Sequence, residues 1–402
     1  MEKSEKTVNY RLLLMIGCCG ALAIFSSTIS KSPILPIFAA QLGASGAQIG
    51  IIASMSTIPG ILISFLAGYL ADKYGYKRIL VGSLLVFASA PFLYLLVYNP
   101  LQLGAVRFYH GFATAAFGPV AMAAVAAFSG KNTGQNLSIY SSATMVGRAL
   151  APSVGGAAYD VGGHSYVYVI AAVAGTAALV LALWFFLRPG RAEDAPAAGK
   201  GEVEKPAFVQ RLVSLLKYKP LLFVGLLSAC VYFAYGAFEM IFPLYARHLG
   251  MSPVMIGVLL SAQLVAVIVF KPFFGRASDK LGRLPMIITG LFVCAFSFFT
   301  LAFVQSVLVL GAVIVVYGLG FALTTAAANA LAADVASAGA LGASLGLMST
   351  IMDVGQTLGP PSIGAISDAH SFPAGIVVLG GILFLAGCAC SVWHLRQKLG
   401  KR

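Results

Sequence analysis

The chain has 402 residues, of which 59% are hydrophobic and only 10% charged. A soluble domain of this length has no use for so much apolar surface, and repeated apolar runs near 20 residues mark membrane-spanning helices. The formal net charge of +13 would suit a nucleic-acid partner, but its distribution argues against one.

Twenty-one of the 26 Lys and Arg fall at the N-terminus, just after Asp72, at Lys131, between Arg188 and Lys219, from Arg276 to Arg283, or at the C-terminus. Arg247 alone lies in a loop of the opposite side, while Lys31, Arg107, Arg148 and Lys271 sit within apolar runs. That is the positive-inside asymmetry of a multi-pass protein in a cytoplasmic (inner) membrane, and it predicts that both termini are cytoplasmic.

The basic, then apolar, N-terminus resembles a signal peptide but runs on through Pro33 and Pro36 without a small-residue cleavage site. It reads as an uncleaved first helix. Twelve apolar segments are counted in all, this one included, near 12–38, 47–71, 79–98, 101–128, 135–159, 166–188, 220–246, 253–275, 285–304, 306–333, 340–366 and 373–395. The stretch 189–219 is rich in Pro, Gly, Ala and charge and reads as a cytoplasmic linker between bundles at 1–188 and 220–402. All six cysteines lie in apolar runs, without metal-ligand spacing or a disulfide framework. No metal and no cofactor is expected.

The two bundles repeat. Pro36 aligns with Pro243, Leu42-Gly43 with Leu249-Gly250, and Ile49-Gly50 with Ile256-Gly257, all 207 residues apart. Gly68 and Asp72 align with Gly275 and Asp279, and His110-Gly111 with Tyr317-Gly318, at the same offset. Pro152 and Asp160 align with Pro360 and Asp368 at 208. Parallel six-helix repeats are an architecture of secondary transporters, with substrate near mid-membrane.

The second segment ends in Gly68-Tyr69-Leu70-Ala71-Asp72-Lys73-Tyr74-Gly75-Tyr76-Lys77-Arg78, and the eighth in Gly275-Arg276-Ala277-Ser278-Asp279-Lys280-Leu281-Gly282-Arg283. This doubled turn resembles the cytoplasmic signature of the major facilitator superfamily, a likeness that covers essentially the whole chain. It implies an all-α polytopic membrane protein with twelve transmembrane helices in two pseudo-symmetric six-helix bundles. By the same resemblance, Gly68, Asp72, Lys73, Gly75, Lys77 and Arg78, with Gly275, Asp279, Lys280, Gly282 and Arg283, form a conformational latch. Tyr76 replaces the usual basic residue.

Two further motifs carry the likeness. The run Gly147-Arg148-Ala149-Leu150-Ala151-Pro152-Ser153-Val154-Gly155-Gly156 resembles the glycine–proline motif of drug:proton antiporters, with Ala151 replacing one glycine, and Gly355, Gly359 and Pro360 repeat it. Small residues at helical spacing allow close approach, so ordinary tight packing is the plain alternative. Arg107-Phe108-Tyr109-His110-Gly111 resembles an Arg-x-x-Gln-Gly element whose arginine is linked to proton transfer, with His110 in place of Gln.

Ionisable groups in hydrocarbon are functional candidates by default. We expect Glu239 and Asp353 to be the proton-coupling carboxylates, with His110 and Arg107 assisting; static ion pairs are the alternative. Lys271 is expected to be structural. Lys31, Arg148, Tyr109, Tyr235, Phe238 and Tyr317 are expected to bind substrate. Many antiporters resembling this chain carry an acid in the first helix, where Lys31 stands here.

The chain therefore reads as a secondary active transporter working by alternating access, and not an enzyme. Proton-coupled export of small amphiphilic compounds is expected, from a monomer in the lipid bilayer, with sodium still open as the coupling ion. Alternatives are a symporter or uniporter of an organic anion, zwitterion or lipid-like substrate, and a non-transporting receptor or scaffold.

Overall fold

The computed structural model describes residues 10–129, 133–187, 219–335 and 341–399; side chains at 10, 64–69, 72, 219–220, 335, 341–346 and 397–399 are outside that description. Apart from Lys219, the expected linker lies outside the described residues. Every regular element among them is a helix. In a bilayer interior no water satisfies backbone N–H and C=O groups, so a spanning segment must satisfy them within itself.

The first apolar segment is α1 (Tyr10–Ile29) and α2 (Ile34–Gln41), broken where Pro33 and Pro36 remove amide donors. The second is α3 (Gly46–Ser54) and α4 (Ile58–Tyr74), again interrupted just before a proline, Pro59. Then come α5 (Tyr76–Tyr94), α6 (Pro100–Phe128) and the 54-residue α7 (Thr133–Phe186). Non-helical backbone at Gly162 and Gly163 divides α7 into two spans, as the fifth and sixth segments require.

The second repeat supplies α8 (Lys219–His248), α9 (Pro253–Leu281), α10 (Arg283–Leu301), α11 (Val307–Val335), α12 (Leu341–Ala369) and α13 (Phe372–Leu399). Among the described residues, ten stretches are long and apolar enough to cross a membrane. With α7 supplying two, α12 completes twelve passes. It lies outside those ten because Ser349, Thr350, Asp353, Gln356 and Thr357 dilute its middle.

The chain divides into two compact units. One comprises Met1–Gly43, Met55–Gly201 and Ser252–Gly257; the other Ala44–Ser54, Glu202–Met251 and Val258–Arg402. In the first, Leu84, Phe87, Ala113, Phe117 and Val120 form the centre of an apolar core. In the second, Leu221, Val224, Ala332, Leu347 and Met348 form another.

Close backbone approach occurs at matching places. A Cβ at Gly147 of α7 would overlap the Ala21 carbonyl of α1, and one at Gly355 of α12 would overlap the Ala229 carbonyl of α8. The dispersion attraction between backbones this close substitutes for the hydrophobic drive that lipid does not supply.

Local sequence sets the helix starts. At α6 the Asn99 side chain accepts from the Gln102 amide at 2.9 Å, Gln102 Oε1 accepts from the Tyr98 amide at 2.9 Å, and Pro100 opens the first turn. Each donor would otherwise lack an intrahelical partner. Asn99→Ala should lower unfolding stability by roughly 1 kcal/mol, and Asn99→Ser should recover most of it, as measured by denaturant unfolding in micelles.

Candidate functional site

In the first unit α6 places Arg107 and His110 one turn apart, both buried, at 2% and 1% exposure. The guanidinium donates to Ser56 Oγ at 2.6 Å and, more weakly, to the Tyr94 hydroxyl at 3.5 Å. Tyr94 lies 3.3 Å from His110 Nδ1 and stacks on Tyr168 with centroids 4.5 Å apart. Arg107 Nε, His110 Nε2 and the Tyr168 hydroxyl are buried without a hydrogen-bond partner. The cluster therefore has donors in excess and no carboxylate among the described residues. A cation so placed relies on neutral oxygens.

Tyr109 turns to another face, its hydroxyl 2.8 Å from Ser89 Oγ. Lys31 lies half-buried in the link between α1 and α2. Arg148 is on an exposed face of α7, outside any ion pair among the described residues. Toward the far end of this unit, Phe38 stacks on His164 at 4.1 Å. His164 sits at the bend of α7, and burial holds its pKa below the ordinary value.

In the second unit α8 carries Glu239, whose Oε1 accepts from the Tyr235 hydroxyl at 2.9 Å. The i, i+4 spacing of the two residues makes this contact possible on one helix face. Tyr235 stacks on Phe321 of α11 at 4.8 Å, and Tyr232 meets the same ring edge-on at 5.7 Å. Phe238 and Tyr317, both buried, pack at 4.8 Å. Asp353 is half-buried on α12, and no described residue donates to its carboxylate. Four of the expected residues (Glu239, Tyr235, Phe238 and Tyr317) are thus gathered around one aromatic wall.

Packing residues of α7 and α12 occupy buried positions: Gly147, Pro152, Gly155 and Gly156, and Gly355, Gly359 and Pro360. A Cβ at Gly359 would overlap the Phe233 carbonyl, and one at Gly155 would come to 3.0 Å from Ile29 Cγ1.

The doubled turn is built on Gly75 and Gly282, with φ of 89° and 93°, a region only glycine occupies without steric penalty. In the first turn the Lys77 ammonium donates to the Phe186 carbonyl at 2.9 Å, Lys73 lies over the Tyr74 ring, and Arg78 is exposed. Gly68 and Asp72 lie on α4, and their burial and the Asp72 side chain are outside that description. In the second, Arg283 binds Asp279, Asp334 Oδ2 at 2.9 Å and Ser278 Oγ at 2.7 Å, the Gly275 carbonyl accepts from Ser278 Oγ at 2.7 Å, and Lys280 is exposed. The hydrogen bond it donates to Asp334, ahead of the one to Asp279, raises the already high Arg283 pKa.

Ser56, Tyr94, Tyr168, Phe321 and Asp334 were not singled out by sequence. Phe321 had a signal, since it follows Tyr317 by one helical turn; Asp334, at the end of an apolar run, had a weaker one.

Twelve helical passes, built as two repeats with ionisable groups inside the spans, define a polytopic carrier of solutes. The sequence model of the Major Facilitator Superfamily matches residues 16–246 and 224–401, and the chain belongs to that family of transporters. It is 26% identical over 416 residues to the multi-drug resistance efflux pump PmrA homolog of Lactococcus lactis, covering 99% of this chain and 98% of that one. It is 26% identical over 391 residues to the multidrug resistance protein MdtG of Escherichia coli, covering 95% and 94%.

Solved structures agree in fold. The nucleoside transporter NupG matches with a TM-score of 0.79 at 15% identity, over 96% of this chain and 98% of that one. A bacterial homolog of the human lysosomal transporter Spinster, inward-facing and occupied, matches at 0.80 and 15%, over 96% and 97%.

Two measurements test the first-unit geometry. Ser56→Ala removes the short acceptor of a buried guanidinium, and thermal unfolding in detergent should show a loss of about 1–3 kcal/mol that Ser56→Thr restores. An NMR titration should place the His164 pKa below about 6.5 and return it toward that ordinary value in Phe38→Ala. A depressed pKa means that the neutral ring is favoured by folding. Its contribution is therefore present above the unfolded pKa and lost as pH falls through that value toward the folded one.

Proposed function

We propose that this transporter is a proton-coupled exporter of small amphiphilic compounds, acting by alternating access as a monomer in the cytoplasmic (inner) membrane. Both termini face the cytoplasm in this reading, and the bundles at 1–188 and 220–402 are joined by a linker at 189–219. The observation that carries it is the Tyr235 hydroxyl held 2.9 Å from Glu239 on a spanning helix, beside an aromatic wall. An acid in hydrocarbon is costly when charged and is useful there because it exchanges a proton. A phenol beside it serves both forms: it donates to the carboxylate, and its oxygen accepts from the neutral acid.

Tyr235, Tyr232 and Phe321 offer π-faces to the apolar part of a substrate. Asp353 is the second proton carrier, and Arg107 with His110 tunes the first bundle. Export is supported by the multidrug names of the relatives from Lactococcus lactis and Escherichia coli. A second reading, uptake or facilitated passage of an organic anion, is supported by Lys31, Arg107 and Arg148, three cations in the spans of the first repeat.

Proteoliposomes carrying an inside pH dye test these readings with amphiphilic cations, zwitterions and anions. Exchange of protons for a cation or zwitterion, reduced at least about tenfold in Glu239→Gln with substrate binding retained, is the expected result. Anion-driven proton movement in the same direction as the solute selects the second reading. Solute movement unaffected by Glu239→Gln overturns the role given to that acid.

The Arg283 turn acts in this mechanism as a cytoplasmic latch. Asp334 and Asp279 are 53% and 61% exposed, so the pairing is worth about 0–1 kcal/mol. Asp334→Asn should therefore change the transport rate by less than about fivefold, with KM preserved.

A further inference from the structure

In each repeat the third and fourth spans pack side by side, α5 with α6 and α10 with α11. The members of the two pairs begin and end 207 residues apart, so their seams can be compared position by position. In the first seam Tyr109 of α6 crosses to α5. Its hydroxyl donates to Ser89 Oγ at 2.8 Å, and Ser89 in turn donates to the Leu85 carbonyl at 2.8 Å. The phenol ring therefore lies across the gap between the helices. In the second seam the same two positions hold Val316 and Phe296, and a valine is too short to cross.

A groove of about 540 Å³ lies along this second seam, lined on α10 by Thr289, Phe292, Phe296 and Thr300 and on α11 by Ala312 and Val316. The α10 residues recur every three or four positions and so share one face. Its hydroxyl protons are already used: Thr289, Ser297 and Thr300 donate to the carbonyls of Pro285, Val293 and Phe296 at 3.0, 2.7 and 2.9 Å. The groove thus offers methyl, methylene and ring surface. Two contacts keep it from closing. A Cβ at Gly290 would overlap the Gly320 carbonyl, so backbone contact already sets the spacing of α10 and α11. The rim rings Phe292 and Phe296 pack on Phe384 of α13, with centroids 5.3 and 6.2 Å apart.

Both helices are long and apolar enough to span the membrane, and Phe296 and Val316 are 56% and 45% exposed. The groove is therefore continuous with the surface that meets lipid. From Thr289 to Thr300 it follows α10 for roughly 16 Å, about half of a ~30 Å hydrocarbon core and so the depth of one leaflet. Thr300 stands one residue from the end of α10 at Leu301, so the groove runs from the membrane surface to mid-membrane. That is the course of an acyl chain. Its volume lies within the roughly 300–1,000 Å³ of concave apolar ligand sites. A gap between helices forfeits dispersion contacts that a chain lying in it supplies.

We propose that the groove between α10 and α11 is a lipid site, in which one acyl chain of a bilayer phospholipid takes the place that the Tyr109 ring fills in the first repeat. The headgroup lies at the end marked by Leu301 and Val307. The chain is held by dispersion against Phe292 and Phe296 and by the fixed spacing of the two helices, so it outlasts lipids on the smoother faces. On a different face α11 carries Tyr317 and Phe321, and Tyr317 packs against Phe238 at 4.8 Å. The bound chain braces the helix that bears the aromatic wall.

The test is native mass spectrometry of the full chain released from nanodiscs of phosphatidylethanolamine and phosphatidylglycerol. The wild-type chain should keep one phospholipid through detergent exposure that strips the others. The double variant Phe296→Ser, Val316→Tyr rewrites the seam as in the first repeat, and its lipid occupancy should fall at least about tenfold. Val316→Phe fills the groove with one ring and leaves the rim intact, and it should shift occupancy the same way. Should neither variant fold, the wild-type chain is labelled with phosphatidylethanolamine carrying a diazirine at its acyl terminus. Adducts on residues 312–316 should then exceed those on the counterpart residues 105–109 at least about fivefold, since Tyr109 leaves a chain no room there. Equal lipid retention in the wild-type and filled chains, or equal labelling of the two seams, overturns the site. A dimer that the filling variants split also overturns it, by placing a second copy of the chain in the groove.

Discussion

The constraint on which this fold depends is the satisfaction of backbone amides where water is scarce. Within a span the α-helix meets it automatically, but the first turn of every helix does not. The chain meets that need with local side chains where it has room, as at Asn99 and Gln102. Where the helix start is packed against another helix, it recruits a carboxylate from far along the sequence, as at Gly46 and Asp368. Glycine at these crossings is the counterpart of the same constraint. Carbonyl groups already engaged in their own helix are the surfaces against which Gly50 and Gly257 pack, and any side chain there would separate the helices.

Charged groups inside the spans obey the same economy. Arg107 is held by hydroxyls of Ser56 and Tyr94, and Glu239 receives the hydroxyl of Tyr235. A full ion pair in a low-dielectric setting is hard to break once formed. Hydroxyl partners are weaker and work as donor or acceptor, so they tolerate a change of protonation at the group they contact. The multiple carboxylate–guanidinium pairing of Arg283 occurs instead where the partners are largely exposed and each contact is worth little. Strong pairing is thus kept where solvent weakens it, and weak pairing where burial strengthens it.

The architecture was legible from hydropathy runs and from the constant offset, because both arise from local, periodic features. The positive φ of Gly75 and Gly282 is what a doubled Gly at the end of an apolar run implies. The breaks at Ser30–Pro33 and before Pro59 were less legible, since proline within a membrane helix often bends it without ending it. Ser56 carried no signal at all. It is an ordinary hydroxyl 51 residues from Arg107, and only packing brings α6 against the link between α3 and α4. Tyr94 and Tyr168 read as bulk aromatic residues until their stacking and shared neighbourhood with His110 are seen. Hydropathy and spacing assign positions along helices, whereas environments depend on which faces meet.

The two repeats agree in some residues and differ in others, and the division is physical. Shared positions are glycines, prolines, helix-capping serines and the two aspartates, all of which shape backbone and crossings. The unshared ones carry charge or hydrogen-bonding character in the spans: Lys31 aligns with Phe238, Arg107 with Ile314, Arg148 with Gln356, and His110 with Tyr317. Backbone geometry tolerates few substitutions, because overlap with a carbonyl is a steric cost that no rearrangement of a side chain relieves. Side chains that line a polar cluster are freer, since several donors and acceptors satisfy one another in more than one way. A frame held constant by sterics, carrying two differently charged interiors, accounts for a molecule that is symmetric in how its helices cross and asymmetric in the chemistry it presents.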